Sequence, residues 1–332
     1  MRVSLRMGRL LGALISLVCL VSSCGSESAT TEARPDSWQL RASMATPRSE
    51  IAAAALDNQI YVAGGIVSIE ITDRAEVYDE ATDAWSSLPS LPRPLHHVAM
   101  TACGGDVYAS GGYTNLGFAR DEDPTLWRLT TDAWVAVTNL PEPIGEHAMA
   151  CIDGLVHLVG GNTDAGPTGA MRRFEGDAWF DLPPMPTPRH STAIALLDGW
   201  LYVTGGRNDT TSELDVVEAF DVATGRWETR ASLPVGRGGH AAAARDGRLH
   251  AFGGELLDES VVLDLHEIYD PTSDSWTDGV PLPEPRHGLA AAVLDERIYA
   301  IGGGSEAGVR TVMSTTGTLQ VLGPFEPEGA EP

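Results

Sequence analysis

Short apolar stretches that end in a Gly-Gly pair recur along the whole chain. The stretch IYVAGG is followed by VYASGG, VHLVGG, LYVTGG, LHAFGG and IYAIGG. The first glycines of these pairs are Gly64, Gly111, Gly160, Gly205, Gly253 and Gly302. Successive pairs are therefore 47, 49, 45, 48 and 49 residues apart. A period of this length with strand-like content predicts a chain built from six similar units.

Each unit has the same order of hydrophobic and polar positions around its Gly-Gly pair. A run of small apolar residues comes first, and in five units an Asp follows it, where a tight turn joins two strands. The Gly-Gly strand is apolar on both faces, so it must be covered on both sides. A third strand and a fourth strand that begins at a Trp come next, and a Pro-rich segment ends the unit. These tryptophans are Trp85, Trp134, Trp179, Trp227 and Trp276.

Four antiparallel strands per unit, repeated six times, predict an all-β, six-bladed β-propeller in which neighbouring blades bury one another's faces. The order of strand, Asp turn, Gly-Gly, aromatic residue, Trp and Pro resembles the kelch repeat. This resemblance covers residues 37–322. It implies a kelch-type propeller, a fold in which many members look like interaction scaffolds.

The last unit lacks a Trp of its own, and this bears on how the ring closes. Residues 37–48, SWQLRASMATPR, have the pattern of a fourth strand, with Trp38 followed by the usual Pro-Arg. We therefore expect the N-terminal segment to supply the outer strand of the last blade. In the alternative, residues 318–322 (TLQVL) fill the outer position and Trp38 packs elsewhere.

The first 24 residues have the features of a secretion signal. Three arginines precede an apolar run from Leu10 to Val21, which is shorter than the ~20 residues that a membrane-spanning helix needs. The sequence VSSC, which ends at Cys24, resembles a bacterial lipobox and implies that Cys24 carries a lipid. The alternative is an ordinary signal peptide whose cleavage site contains a cysteine.

The predicted domain plan has four parts. They are a lipoprotein signal peptide at 1–24, a flexible polar tether at 25–36, the propeller at 37–322 and a disordered tail at 323–332. By resemblance to bacterial lipoproteins, Gly25 rather than Asp after Cys24 favours the outer membrane. We therefore expect a protein that is secreted across the inner membrane and held at a membrane, periplasmic or at the cell surface, by its lipid only.

The net charge of the chain excludes one class of partner. The chain has 22 basic and 46 acidic residues and a formal charge of −24, so it repels phosphate backbones and excludes a nucleic-acid partner.

Outside the signal, Cys103 and Cys151 lie in the inner strands of neighbouring units. A disulfide needs Cα atoms within ~7 Å of each other, and inner strands of adjacent units usually stand further apart. We therefore expect two buried thiols.

An arginine recurs before most of the inner strands. Arg48, Arg189, Arg237 and Arg286 each stand 16 residues before the first glycine of their unit, and Arg93 stands slightly further from its own. In a propeller these positions open the innermost strand, so five guanidinium groups would ring one end of the channel and suit a carboxylate ligand. In the structural alternative, each arginine bonds neighbouring backbone or an acidic residue of its own propeller.

Histidines and the most variable loops lie at the same end of the units. The histidines near the inner strands are His96, His97, His147, His190, His240 and His287, and they show no spacing of a known metal site. We expect packed or rim histidines and no metal, and we include His97, His147 and His240 among the candidate ligand contacts. Variable loops on a rigid ring carry binding specificity. The candidates in the loops after the Gly-Gly pairs are Asn115, Asn162, Arg207, Asn208 and Glu255.

Two functions fit this sequence. In the first, a monomeric, lipid-anchored propeller without a cofactor presents one loop face to an extracytoplasmic protein, peptide or glycan. The sequence contains no nucleophile elbow, phosphate loop or zinc motif. In the second, the chain is a sugar mutarotase or epimerase, because it resembles the periplasmic sialic-acid mutarotases, which are secreted six-bladed kelch proteins. An arginine ring that faces a carboxylated sugar would suit that reaction.

Overall fold

Six four-stranded antiparallel sheets stand around a central channel as the blades of a closed ring. The structure is a computed structural model and describes residues 36–117 and 121–324. The innermost strand of each blade contacts the innermost strands of both neighbouring blades, and the last blade contacts the first. The prediction of an all-β, six-bladed propeller with four antiparallel strands per blade is confirmed.

The described residues form thirty strands and one short 3₁₀ helix, Gly308–Met313. In chain order the strands are β1 (Asp36–Arg41), β2 (Ala52–Leu56), β3 (Gln59–Ala63), β4 (Ile66–Val67), β5 (Glu70–Ile71), β6 (Ala75–Asp79), β7 (Ala84–Ser87), β8 (Ala99–Cys103), β9 (Asp106–Ser110), β10 (Thr125–Leu129), β11 (Trp134–Asn139), β12 (Ala148–Ile152), β13 (Leu155–Val159), β14 (Asn162–Thr163), β15 (Gly166–Pro167), β16 (Met171–Glu175), β17 (Ala178–Leu182), β18 (Ala193–Leu197), β19 (Trp200–Thr204), β20 (Val217–Asp221), β21 (Arg226–Arg230), β22 (Ala241–Arg245), β23 (Arg248–Phe252), β24 (Glu255–Leu256), β25 (Val261–Val262), β26 (His266–Asp270), β27 (Ser275–Asp278), β28 (Ala290–Leu294), β29 (Arg297–Ile301) and β30 (Leu319–Pro324).

The blades follow one another in chain order. From the channel outward, their strands are β2-β3-β6-β7, β8-β9-β10-β11, β12-β13-β16-β17, β18-β19-β20-β21, β22-β23-β26-β27 and β28-β29-β30-β1. The short pairs β4-β5, β14-β15 and β24-β25 are hairpins in the segments that connect the second and third strands. We call the side of the ring that carries these connecting segments the loop face, and the other side the opposite face.

The chain enters each innermost strand at the loop face and turns back at the opposite face. In the first blade this turn is Asp57-Asn58, whose φ angles of 50° and 64° are the left-handed values that a two-residue hairpin turn requires. The second strand returns to the loop face and ends at the Gly-Gly pair. The predicted Asp turns therefore lie on the opposite face, and the variable segments lie on the loop face.

The N-terminal strand closes the ring. Strand β1 pairs antiparallel with β30, and Trp38 lies opposite Leu322. The segment that contains residues 318–322 is the third strand of the last blade, so the outer position is left for β1. This outcome confirms the prediction that the segment around Trp38 completes the last blade.

Each seam between blades has its own hydrophobic cluster and its own tryptophan. The indole Nε1 of the outer-strand Trp donates to a backbone carbonyl of the preceding blade or of the segment that leaves that blade. The pairs are Trp38–Val280, Trp85–Ala42, Trp134–Pro89, Trp179–Asn139, Trp227–Pro183 and Trp276–Ala231, with N···O distances of 2.7–3.0 Å. Apolar side chains from both blades fill the rest of the seam. These six tryptophans are therefore seam residues.

Cys103 and Cys151 form a disulfide. The expectation of two free thiols was wrong because the inner strands β8 and β12 of adjacent blades lie closer together than we assumed. The Cα atoms of the two cysteines are 5.2 Å apart. The bond joins the second blade to the third at the channel.

Several predictions concern residues outside the described parts of the chain. They are the signal peptide at 1–24 with Cys24 as lipid site, and the tether up to residue 35. Strand β1 begins at Asp36, and β30 continues to Pro324, two residues into the segment predicted as a tail. Residues 36–117 and 121–324 contain no helix with the length and apolar character needed to cross a bilayer.

Candidate functional site at the channel mouth

The channel is narrow and lined mainly by small apolar side chains. The middle residues of the six innermost strands, for example Ala54, Ala150 and Ala243, enclose a space of about 410 Å³. Small side chains are needed here because six strands converge on one axis. The channel wall therefore offers no charge to a ligand along this stretch, and the polar chemistry lies at the loop-face end.

A closed hoop of backbone hydrogen bonds surrounds the channel at the loop face. Its six members occupy equivalent positions just before the innermost strands, and each donates its N–H to the carbonyl of the member in the preceding blade, at 2.7–3.2 Å. The members of the hoop are Glu50, His97, Glu146, Ser191, Gly239 and Gly288. All six have φ between 52° and 64°. Left-handed backbone at four non-glycine residues is unusual and is a feature often found at functional sites.

The hoop places acidic and basic side chains around the channel mouth. His97 Nε2 lies 3.0 Å from Glu50 Oε2, and Glu146 contacts His190 and accepts a 2.9 Å hydrogen bond from the Ser191 hydroxyl. Arg207, Glu255 and His287 form a second group of paired acids and bases beside the first. We call both groups together the acid–base ring, and its members are Glu50, His97, Glu146, His190, Arg207, Glu255 and His287.

The second group of the acid–base ring is centred on Glu255. Its Oε1 accepts a 2.8 Å hydrogen bond from Arg207 Nη2 and lies 3.2 Å from His287 Nδ1, and its Oε2 accepts a 2.7 Å hydrogen bond from the Gly308 amide. His287 Nδ1 also lies 3.7 Å from Glu50 Oε1. The two groups therefore meet at His287, and acids alternate with bases along each of them.

Burial and neighbouring charges set the protonation states of His97, Glu50 and His96. Burial alone would lower the pKa of His97, but the carboxylates of Glu50 and Glu146 raise it to about 9. Burial alone would raise the pKa of Glu50, but His97 and His287 lower it to about 2. Burial and the charge of His97 lower the pKa of His96 to about 4. Near neutral pH, His97 is therefore a cation, Glu50 an anion and His96 neutral.

These charges assign the hydrogen bonds between the two neighbouring histidines. The Nδ1 atoms of His96 and His97 are 2.6 Å apart, so protonated His97 donates and neutral His96 accepts. His96 then carries its proton on Nε2, which donates to the Asn115 carbonyl at 2.8 Å. His287 is held in the same way: burial lowers its pKa, but Glu255 and Glu50 raise it above the ordinary value. The side chains at the channel mouth thus carry several charges, and these charges nearly cancel one another.

The framework arginines do not face the channel. Arg48, Arg189, Arg237 and Arg286 have no exposed surface. Arg48 donates to the carbonyls of Gly64 and Arg74 and pairs with Glu76. The corresponding acids in the fourth and fifth blades are Glu218 and Glu267, and in the sixth blade Gln320 accepts instead. This placement matches the structural alternative and leaves these four groups out of a ligand's reach.

Arg93 and two of the candidate histidines also lie away from the open mouth. Arg93 is half exposed and pairs with the buried Asp123 at 3.1 Å. His147 and His240 are buried below the hoop, where their Nε2 atoms lie 2.8 Å from the hydroxyls of Ser110 and Thr204. Burial lowers the pKa of His147 to about 3, so it is neutral. Each of these two histidines therefore reaches across a seam to the last residue of the second strand of the preceding blade.

The loop candidates divide into two groups. Arg207 and Glu255 are buried members of the acid–base ring, and Asn115 lines the cavity above it. Asn162 is buried and is paired through its backbone with Gly145. Asn208 caps its own loop by accepting hydrogen bonds from the residues that follow it.

A cavity of about 590 Å³ opens above the acid–base ring. Its floor includes Glu50, His97, Glu146, Glu255 and His287. Its walls are mostly apolar and come from the loops of four blades: Ile66, Tyr113, Leu116, Leu257, Val309 and Val312. This volume is in the range of sites that hold a small ligand or the side chains of a peptide. We call this space the mouth cavity.

Comparisons with known protein families agree with this architecture. A family model described as the KLHDC2/KLHL20/DRC7 kelch-repeats domain matches residues 175–319, and a model of the kelch motif matches residues 47–92. Together with six blades of four strands, these matches show a six-bladed propeller built from kelch repeats. This chain is a kelch propeller. No individual curated protein gives a significant match.

Kelch propellers are commonly protein-binding modules, and a fold of this kind offers its variable loops on a rigid ring. In this kelch propeller the described residues contain no group of three His, Cys, Asp or Glu side chains arranged to hold a metal ion. The mouth offers apolar walls and paired charges to a ligand.

Sequence reasoning missed three contributors to the site. Glu50 and Glu146 were not singled out, and neither was the 3₁₀ helix that carries Val309 and Val312. A signal for the first two was present, because each hoop member stands two residues after the position that Arg48 holds in its own blade. At that position the six units have, in chain order, Glu, His, Glu, Ser, Gly and Gly.

Proposed function

We propose that the loop face of this kelch propeller binds a protein or peptide outside the cytoplasm. The observation that carries the proposal is the mouth cavity, which is framed by the loops of four blades. Its walls expose Leu116, Leu257 and Val309, the last with 86% of its surface accessible. Exposed apolar surface around a concave site is typical of an interaction surface. The hydrogen-bonded floor favours binding because it is already ordered before a partner arrives.

The disulfide supports a location outside the cytoplasm. Disulfides such as Cys103–Cys151 persist in oxidising compartments and are rare in the cytosol. The predicted signal and the lipid site at Cys24 point the same way. We expect a Cys24→Ala variant to lose its membrane association and its incorporation of labelled fatty acid. Unchanged association of that variant with the membrane would contradict the proposed anchor.

The direction of the first strand suggests how an anchored ring would be presented. Strand β1 starts at Asp36 on the opposite face and runs toward the loop face, and β30 ends at Pro324 on the opposite face. A tether that precedes Asp36 would therefore leave the ring from the opposite face. This arrangement leaves the mouth cavity free to meet a partner, and a closed ring can do so as a monomer.

The structure gives less support to a sugar-converting enzyme. That alternative relied on arginines facing a carboxylated sugar, and Arg48, Arg189, Arg237 and Arg286 are fully buried. Arg207, at the mouth, is already paired with Glu255. Binding experiments also test a glycan partner. If sialic acid binds, it should raise the free energy of unfolding by about 2.7 kcal/mol when the sugar is at 100 times its dissociation constant.

Site-specific crosslinking tests the proposed binding face. A photoreactive amino acid would replace Val309 at the mouth or, as a control, Val137, which is exposed on the outer strand β11. In cells that produce the protein, we expect a crosslinked protein partner from position 309 and not from position 137. Equal crosslinking from both positions, or none from position 309, would contradict binding at the mouth.

A further inference from the structure

The loops around the mouth cavity carry a one-sided charge. In the described parts of the segments between second and third strands, nine exposed side chains are acidic, and the exposed basic ones are Arg74 and Arg310. The exposed acids are Glu70, Asp121, Asp164, Asp209, Asp215, Asp258, Glu259, Asp264 and Glu306. Arg310 is itself close to Glu306, with 3.8 Å between Nε and Oε2. The described part of these segments is therefore strongly negative, and the exposed Arg93, which precedes the second blade, is paired with Asp123.

The acids nearest to the cavity adjoin its apolar walls. Asp258 follows Leu257 directly, and the Asp121 carboxylate accepts a 2.6 Å hydrogen bond from Thr114, which adjoins Tyr113. Glu306 precedes the 3₁₀ helix that carries Val309, and its carbonyl accepts from His287 Nε2. Carboxylates thus stand on several sides of one apolar opening.

The floor of the mouth cavity does not add to the negative charge of these loops. Each of its acids is already bonded: Glu50 pairs with His97, Glu255 pairs with Arg207 and His287, and Glu146 contacts His190 and accepts from the Ser191 hydroxyl. A ligand that carried a charge to the floor would have to break one of these pairs, which is costly for buried groups. An apolar side chain that stops against the walls of the cavity avoids this cost.

We infer that the mouth cavity docks a basic polypeptide segment, whose apolar side chain enters the cavity while its Lys or Arg side chains meet the acidic rim. This inference rests on the proposed function and adds the chemistry of the partner. Charge complementarity speeds encounter and rejects acidic partners, and burial of the apolar side chain supplies affinity. A formal charge of −24 on the whole chain acts in the same direction.

Selection from a library of short random peptides displayed on phage tests the inference with the full chain as bait. We expect the enriched peptides to combine apolar residues with a net positive charge. Their binding should fall about tenfold when both Asp258 and Glu306 are replaced by Arg, because each exposed ion pair with the peptide contributes about threefold. Raising the ionic strength should weaken binding to the unmodified chain and have less effect on this variant.

Matched variants separate charge from contact. The pair Asp132→Arg and Asp177→Arg makes the same change in net charge on exposed turns of the opposite face and should leave binding close to that of the unmodified chain. Val309→Asp should abolish binding, whereas Val137→Asp on the outer strand β11 should not.

The outcomes distinguish the inference from the proposed function. Enrichment of neutral or acidic peptides that still need Val309 would overturn the basic partner and keep the binding face. Basic peptides that bind equally well to the two charge variants would also overturn the inference. Failure to enrich any peptide that distinguishes Val309→Asp from the unmodified chain would count against both.

Discussion

The backbone amide of Glu50 donates a 2.7 Å hydrogen bond to the carbonyl of Gly288. This bond joins the first blade to the last at the channel mouth and completes the hoop. It also brings the Glu50 side chain over Gly288, where an added Cβ would lie 2.4 Å from Glu50 Oε1. Gly288 therefore leaves the space that Glu50 needs in order to reach His97 and His287.

A Gly288→Ala substitution should destabilise the protein more than its backbone angle alone explains. The φ of 59° costs a non-glycine residue about 1–2 kcal/mol, and displacement of the buried Glu50 carboxylate adds about 1–3 kcal/mol. Gly247→Ala is the matched control, because Gly247 has a φ of 68° and no heavy atom within 4 Å of the added Cβ. Urea unfolding measures both, and equal losses would show that Glu50 is not held over Gly288.

The charge pair of Glu50 and His97 should make stability depend on pH. The pKa of His97 is raised to about 9 from 6.5, so its stabilising effect is complete below pH 6.5 and is lost as pH rises through 9. The pKa of Glu50 is lowered to about 2 from 4.5, so its effect is present above pH 4.5 and is lost as pH falls through 2.

The difference in unfolding free energy between the unmodified chain and Glu50→Gln isolates this pair from the other buried histidines. The difference should be largest between pH 4.5 and 6.5, at about 1–3 kcal/mol, and should shrink toward pH 9. NMR titration of the His97 ring provides a direct check. A His97 that titrates at its ordinary pKa in the unmodified chain would contradict the assignment.

Arg189 should matter for stability and not for direct contact with a ligand. It is fully buried and pairs with Glu218, so Arg189→Ala leaves an unpaired buried carboxylate and should cost about 3–5 kcal/mol. Arg128→Ala removes an exposed pair with Asp106 and should cost at most about 1 kcal/mol. Loss of ligand binding in a variant at Arg189 that unfolds like the unmodified chain would restore the arginine to the ligand site.

Reduction of the disulfide should loosen the join between the second and third blades. The bond closes a loop with a sequence separation of 48 residues, for which the chain-entropy relation gives about 4 kcal/mol. A Cys103→Ala, Cys151→Ala variant should lose a similar amount and should not respond to dithiothreitol. Thiol labelling located at Cys103 and Cys151 by peptide mapping of the denatured, unreduced chain would show that the bond is absent.

The repeat pattern predicted most of the fold, because most strand boundaries in the six blades are marked by a residue with a physical reason to be there. Asp57 turns a hairpin, Gly64 ends a strand where no side chain fits, and Trp85 donates across a seam. The place of Trp38 in the last blade followed from the same pattern. These features were predictable because the turn, glycine and tryptophan positions require the same strands that closure of the ring requires.

The site was less predictable because it depends on which way side chains point. The recurrence of Arg48 and its equivalents was visible, but whether a guanidinium faces the channel or the blade depends on the acid across the sheet, such as Glu76. The distance between Cys103 and Cys151 depends on how tightly six inner strands converge. The acid–base ring needs partners from different blades, which no spacing within one unit reveals.

The antiparallel pairing of Asp36 with Pro324 has a consequence for how the chain can be rewired. Asp36 and Pro324 are neighbours across one ladder, so a short linker could join them without moving either strand. New termini could then be opened in an exposed turn of the opposite face, such as the one before Trp179. A circular permutant of this kind would keep the pairing of β1 with β30 and add a covalent link between them, while the loops of the mouth would keep their places.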